Sequence, residues 1–137
     1  MSALAFEAHV PESPAQAIER VTEALKAEGF GILTRIDVDI TLQQKLGVAF
    51  RPYAILGACN PELAHRALSS RAEVGLLLPC NVTVEQGAKG GSTVRIGNPE
   101  TLLQTGGLGE DPTLREVAAQ ARERLARVAE QLRRRTG

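Results

Sequence analysis

From Asp111 onward the chain carries its apolar residues on one helical face only. Leu114, Ala118, Ala121, Leu125, Val128 and Leu132 follow one another at alternating steps of four and three. A stripe of that length cannot stay in water; it must lie on a sheet, on other helices or on a second copy of the chain. Asp111 reads as the helix cap and Pro112 as its first residue, where a missing N–H costs nothing. Glu123 and Arg127, and Glu130 and Arg134, pair at i, i+4 in the favourable order, and the arginines at 133–135 complement the negative end of the helix dipole. The outer face is therefore solvated, and the inner face needs a layer to rest on.

The rest of the chain supplies such a layer. Over residues 4–10, Leu4, Phe6, Ala8 and Val10 face one side while Glu7 and His9 face the other, the alternation of a half-buried strand. Ser13-Pro14-Ala15-Gln16 is a capping box, followed by Ile18, Val21, Ala24 and Leu25 at helical spacing and ended by Gly29. Ile32, Thr34, Ile36 and Val38 form the inward set of a second strand, with Arg35, Asp37 and Asp39 outward. Leu42 and Leu46 mark a helical turn that stops at Gly47. Residues 53–58 are continuously apolar, a strand covered on both faces. Asn60-Pro61-Glu62 opens another helix, which buries Leu63, Ala64, Ala67 and Leu68.

A further strand is expected over 74–85, with Leu76, Leu78, Cys80, Val82 and Val84 in phase. A glycine-rich hairpin loop at 87–91 leads to a return strand at 92–96. A weak helical turn at 100–103 and a mobile loop at Gly106-Gly107-Leu108-Gly109 precede the last helix. The fold class is α+β: a single compact domain over 1–137, with a mainly antiparallel sheet of about five strands and helices packed on one face. The first and last helices should share that face. One parallel exception is expected, because strand 53–58, the helix after it and the strand from 74 make a β-α-β unit. Its carboxyl ends would bring Cys59 and Cys80 to one edge.

Blocks in the middle of the chain carry a resemblance. They are Asp37-Val38-Asp39, Leu46-Gly47-Val48, Arg51-Pro52-Tyr53, Gly57-Ala58-Cys59-Asn60-Pro61, and the run from Gly75 to Val82. In order and spacing they resemble the prokaryotic family called domain of unknown function 302, over roughly residues 4 to 105. The resemblance implies a compact α+β domain that self-associates. It brings no reaction, substrate or catalytic residue.

Composition narrows the function classes. Sixteen basic and sixteen acidic residues cancel, which removes the electrostatic case for nucleic acid or an anionic membrane. No apolar stretch approaches the ~20 residues of a membrane span. The first twelve residues lack the basic region of a signal peptide, so a cytoplasmic location with reduced thiols is expected. The glycines at 106–109 lack the Lys-Ser/Thr of a phosphate loop, and no cofactor is expected. Cys59, Cys80, His9 and His65 match no metal-ligand spacing, so no metal is expected either.

Two Cys-Asn pairs remain as candidate binding residues: Cys59 with Asn60, and Cys80 with Asn81. Cys59 sits just outside a helix start, where free N–H groups bind anions or lower a thiol pKa, although Glu62 already supplies negative charge there. Against this stands a small buried residue before an ordinary cap. Cys80 is in phase with a core strand, and Asn81 points to the opposite face beside Pro79, a residue of edges and bulges. Three function classes follow. The first is a small homo-oligomeric ligand-binding module with a polar pocket near the Asn60 helix start. The second is a thiol redox enzyme or sensor using Cys59 or Cys80. The third is a structural self-interaction protein. A homodimer is expected, held by the stripe from Leu114 to Leu132 unless that stripe caps its own sheet.

Overall fold

The structure is a computed structural model that describes residues 4–134. Five strands, β1 (Ala5–Val10), β2 (Gly31–Asp37), β3 (Tyr53–Cys59), β4 (Cys80–Gln86) and β5 (Ser92–Gly97), form one sheet in the order β1-β5-β4-β3-β2. Every neighbouring pair is antiparallel. The α-helices are α1 (Pro14–Ala27), α2 (Val38–Leu46), α3 (Pro61–Ser70), α4 (Pro99–Leu103) and α5 (Pro112–Arg133). Two 3-10 segments, Ala72–Leu77 and Thr105–Glu110, join α3 to β4 and α4 to α5.

The caps read from the sequence are made. Ser13 Oγ accepts from the Gln16 N–H, Asn60 Oδ1 from Leu63 and Asp111 Oδ1 from Leu114. Each of these three helices also begins with proline at its first or second position, where an N–H would have no intrahelical partner. The stripe of α5 is buried from Leu114 to Leu132 and touches β1, α1, α3 and α4. Arginines hold its far end. Arg20 of α1 donates to the carbonyl of Leu132 at 3.0 Å, and Arg133 donates to the carbonyl of Glu7 at 2.7 Å. The stripe is thus consumed within its own chain and leaves no seam for a second copy.

Four expectations change. Strands β3 and β4 are neighbours but antiparallel, because the 3-10 segment after α3 returns the chain to the end of β3 that it had just left. Residues 74–77 belong to that segment rather than to a strand. Only Val74 is buried there, and Leu76 is 89% exposed. In β2 a bulge between Ile32 and Thr34 shifts the register by one residue. Beyond it the residues change faces, and Ile36, expected inside, is 49% exposed. Finally, the glycines at 106–109 form a kinked turn rather than an open loop, with Gly106 and Gly107 left-handed at φ +66° and +79° and Leu108 buried after them.

The core contribution of the stripe is directly measurable. Leu125 is fully buried beneath the sheet, so Leu125→Ala should cost about 2–5 kcal/mol in urea unfolding. Leu76→Ala, at an exposed position, should stay within about 0.5 kcal/mol of the parent. Equal losses for the two variants would contradict this packing.

Candidate functional site

The sheet ends at one edge in three close strand termini: the end of β3, the start of β4 and the end of β5. Ala58 pairs with Cys80, and Gly57 with Asn81. Behind this edge, between the sheet and α3, α4 and α5, lies a cavity of about 80 Å³. Its existence follows from side-chain size. Ala58 of β3, Ala64 and Ala67 of α3, and Ala118 and Ala121 of α5 all border it, so facing elements meet with small residues. Leu63, Leu103, Leu114 and Val117 complete much of the wall.

All four Cys-Asn residues border this cavity. They arrive there by an antiparallel register, not by the parallel crossover expected from the sequence. Cys80 shares the helix-facing side of the sheet with its register partner Ala58. Burial, reinforced by neighbouring Cys59, pushes its thiol up to about 11. Strand alternation turns Cys59 with Gly57 toward the other side of the sheet edge. Both cysteines are free. Asn60 is 7% exposed and uses its carbonyl oxygen as the cap of α3, so the pocket next to it is apolar where a polar one was expected. Asn81 lies exposed on β4 beside the cavity.

Two glycines set this geometry. Gly29 has φ +85°, and a Cβ there would lie 2.9 Å from Nδ2 of Asn60, so the end of α1 can press against the start of α3. At Gly57 a Cβ would lie 2.2 Å from Thr34 Oγ1 and 2.7 Å from Pro79 Cγ. Its absence lets Thr34 and Pro79 close over β3.

A second cluster escaped the sequence reading. On the sheet face away from α5, Glu85 is 8% exposed and lies between Arg51, at 2.7 Å, and Arg95. Arg95 also reaches Glu7 at 2.8 Å, and Arg51 stacks 4.6 Å from the centroid of the Phe50 ring. The Arg95 bond, then the Arg51 bond, hold the Glu85 carboxyl below its usual range against the opposing effect of burial. This network contributes stability that is present above the unfolded carboxylate pKa and lost as pH falls through the lowered one. The signal was available, since Glu7, Glu85 and Arg95 are all outward positions, but only the register makes them neighbours. Thr83 Oγ1, on the same face, is buried without a hydrogen-bond partner among the described residues.

Among the described residues, no three His, Cys, Asp or Glu side chains are grouped to hold a metal ion, and no helix is long and apolar enough to cross a membrane.

A one-sided antiparallel sheet, layered by helices over a small apolar cavity at one sheet end, defines a compact two-layer α+β domain. The family model described as "Domain of unknown function DUF302" matches residues 6–132. The chain belongs to that family. It is similar to the crystal structure of an uncharacterized conserved protein DUF302 from Bacillus stearothermophilus, with 36% identity and a TM-score of 0.84. That similarity covers 96% of this chain and 100% of the other. No curated protein matches.

The raised Cys80 pKa has a kinetic consequence. In a Cys59→Ser variant, which keeps burial as the larger cause of the raised pKa, alkylation of native Cys80 by iodoacetamide should be slow at pH 7 and rise about tenfold per pH unit well past the ordinary thiol pKa of about 8.5. Because the folded pKa lies above the unfolded value, the stability from this buried thiol is fully present below about pH 8.5. It is lost as pH rises toward 11. A reactivity plateau already reached near pH 8 would contradict this environment.

Proposed function

We propose that the protein is a small-molecule-binding module whose ligand enters the cavity bordered by Cys59, Asn60, Cys80 and Asn81. The observation that carries this reading is the alanine-walled cavity itself, held open in an otherwise densely packed layer. Unfilled apolar volume costs stability, so a fold that keeps it gains from a ligand that fills it. The thiol-enzyme alternative is weaker at Cys80, because a pKa near 11 leaves that group protonated at neutral pH. The module works in the cytoplasm, where unpaired thiols stay reduced.

The working unit is a homodimer. Ile36, Ile40, Leu46, Val48 and Phe50 are all large, exposed and confined to β2, α2 and the loop after it. Helix α2 buries none of its own residues, so this corner presents apolar surface that a second copy would cover.

Two measurements test these statements. Light scattering at micromolar concentration should give twice the 14.6 kDa chain mass, and Ile40→Asp with Phe50→Asp should halve it while leaving cooperative unfolding intact. A parent mass near 14.6 kDa would reject the dimer. In melting scans against a panel of small metabolites, a true ligand at a hundredfold excess over its Kd should add about 2.7 kcal/mol. Ala64→Leu, which fills the cavity from a half-buried position, should abolish that gain. A dimer that no member of the panel stabilises would favour the structural self-interaction class.

A further inference from the structure

The cavity proposed above as the ligand site has one polar side chain in its wall whose donor is unused. Asn60 borders the cavity and is 7% exposed. Its carbonyl oxygen accepts the Leu63 N–H as the cap of α3. Its amide nitrogen makes no hydrogen bond among the described residues. A donor in so buried a side chain costs stability until an acceptor reaches it.

A second donor converges on the same place. Arg124 stands three residues after Ala121, a cavity residue, and so lies on the same face of α5 one turn further. A point at the Cβ position of Gly29, beside the cavity residue Phe30, lies 2.9 Å from Asn60 Nδ2 and 3.4 Å from Arg124 Nη1. Neither group can satisfy the other, because an amide nitrogen and a guanidinium only donate. The Arg124 side chain has no carboxylate or carbonyl partner among the described residues. Arg122 and Arg127 on the same helix are paired, with Glu100 and Glu28. Glu28, next to Gly29, is thus already held by a cation at 2.9 Å, and Glu62 in the first turn of α3 is exposed.

Two unpartnered donors, one of them cationic, suit an anion with two oxygens in one plane. The space behind them sets the rest of the molecule. The cavity measures about 80 Å³ and is walled by alanines. A dry apolar cavity of roughly 150 Å³ accepts benzene, so this one takes roughly three or four heavy atoms.

We infer that the ligand is a short-chain monocarboxylate, its carboxylate held between Asn60 Nδ2 and Arg124 Nη1 and its alkyl end of three or four carbons inserted among the alanines of α3 and α5. This rests on the cavity being the ligand site. A neutral amide of the same length leaves the guanidinium without its counter-charge, and a protonated amine meets two donors and no acceptor.

The test titrates the full-length protein with butyrate, butyramide, butylammonium and dissolved cyclopropane, followed by NMR of the Ala118 and Ala121 methyl groups and the Arg124 side-chain N–H. Butyrate should shift all three signals saturably, and butyramide and butylammonium should bind at least about tenfold more weakly. Cyclopropane should shift the methyls alone. Arg124→Gln should weaken butyrate at least about tenfold and leave cyclopropane unchanged. Asn60→Asp should do the same, since aspartate still caps α3 but replaces the amide donor with negative charge. If Asn60→Asp fails to fold, Arg124→Gln decides alone. Butyramide or butylammonium binding as tightly as butyrate, or butyrate binding unchanged in either folded variant, overturns the carboxylate inference and leaves the cavity as the site. A butyrate response at Arg124 without one at the methyls, or a cyclopropane response without any butyrate response, also overturns the inference alone. Silence from all four probes overturns the binding module as well.

Discussion

The apolar stripe of α5 is the surface on which the other elements meet. It lies along β1 and touches α1, α3 and α4, and arginines from α1 and from its own last turn fasten its far end. Its composition is uneven along its length. Toward the C-terminus, Leu125, Val128 and Leu132 fill the space beneath the sheet completely. Toward the N-terminus, Ala118 and Ala121 face Ala58, Ala64 and Ala67, and the cavity remains between them. One helix therefore closes the core at one end and leaves an apolar cavity at the other.

The sheet separates two kinds of chemistry. Its helix-covered side is apolar where it lines the cavity, with Cys80 kept as a thiol. Its other side carries the chain Glu7–Arg95–Glu85–Arg51, in which every charge has a partner of opposite sign. An antiparallel sheet tolerates this asymmetry because alternate residues face opposite ways and water can solvate one face. The charged network consequently stiffens the central strands without touching the cavity. The exposed apolar corner of β2 and α2 lies outside both regions.

Much of this was legible in the sequence, for reasons that can be stated residue by residue. The α5 stripe, the proline-led caps at Ser13, Asn60 and Asp111, and the β4–β5 hairpin all rest on local chemistry, and local chemistry decided them. Three features depended on distant contacts. The bulge at Ile32 and Thr34 reverses the phase of β2, and nothing in the residues of that strand announces it. The apolar run at 74–77 fits a strand or a tight helix, and Gly75 with Pro79 tips it toward a turn. That turn makes β3 and β4 antiparallel. The site was only half visible. Asn60 and Cys80 stood out, but alanines carry no signal for a cavity until their neighbours are known, and Asn60 spends its polarity on a helix cap.

The central claim is that the alanine-walled space beneath the sheet end is accessible to a small apolar guest. A crystal of the protein pressurised with xenon tests it most directly, since xenon seeks apolar cavities and needs no particular functional group. The account predicts a single strong xenon peak in contact with Ala118, Ala121 and the Cys80 side chain, lost in Ala64→Leu. A well-ordered crystal with no xenon there, or with those side chains collapsed into contact, would contradict it.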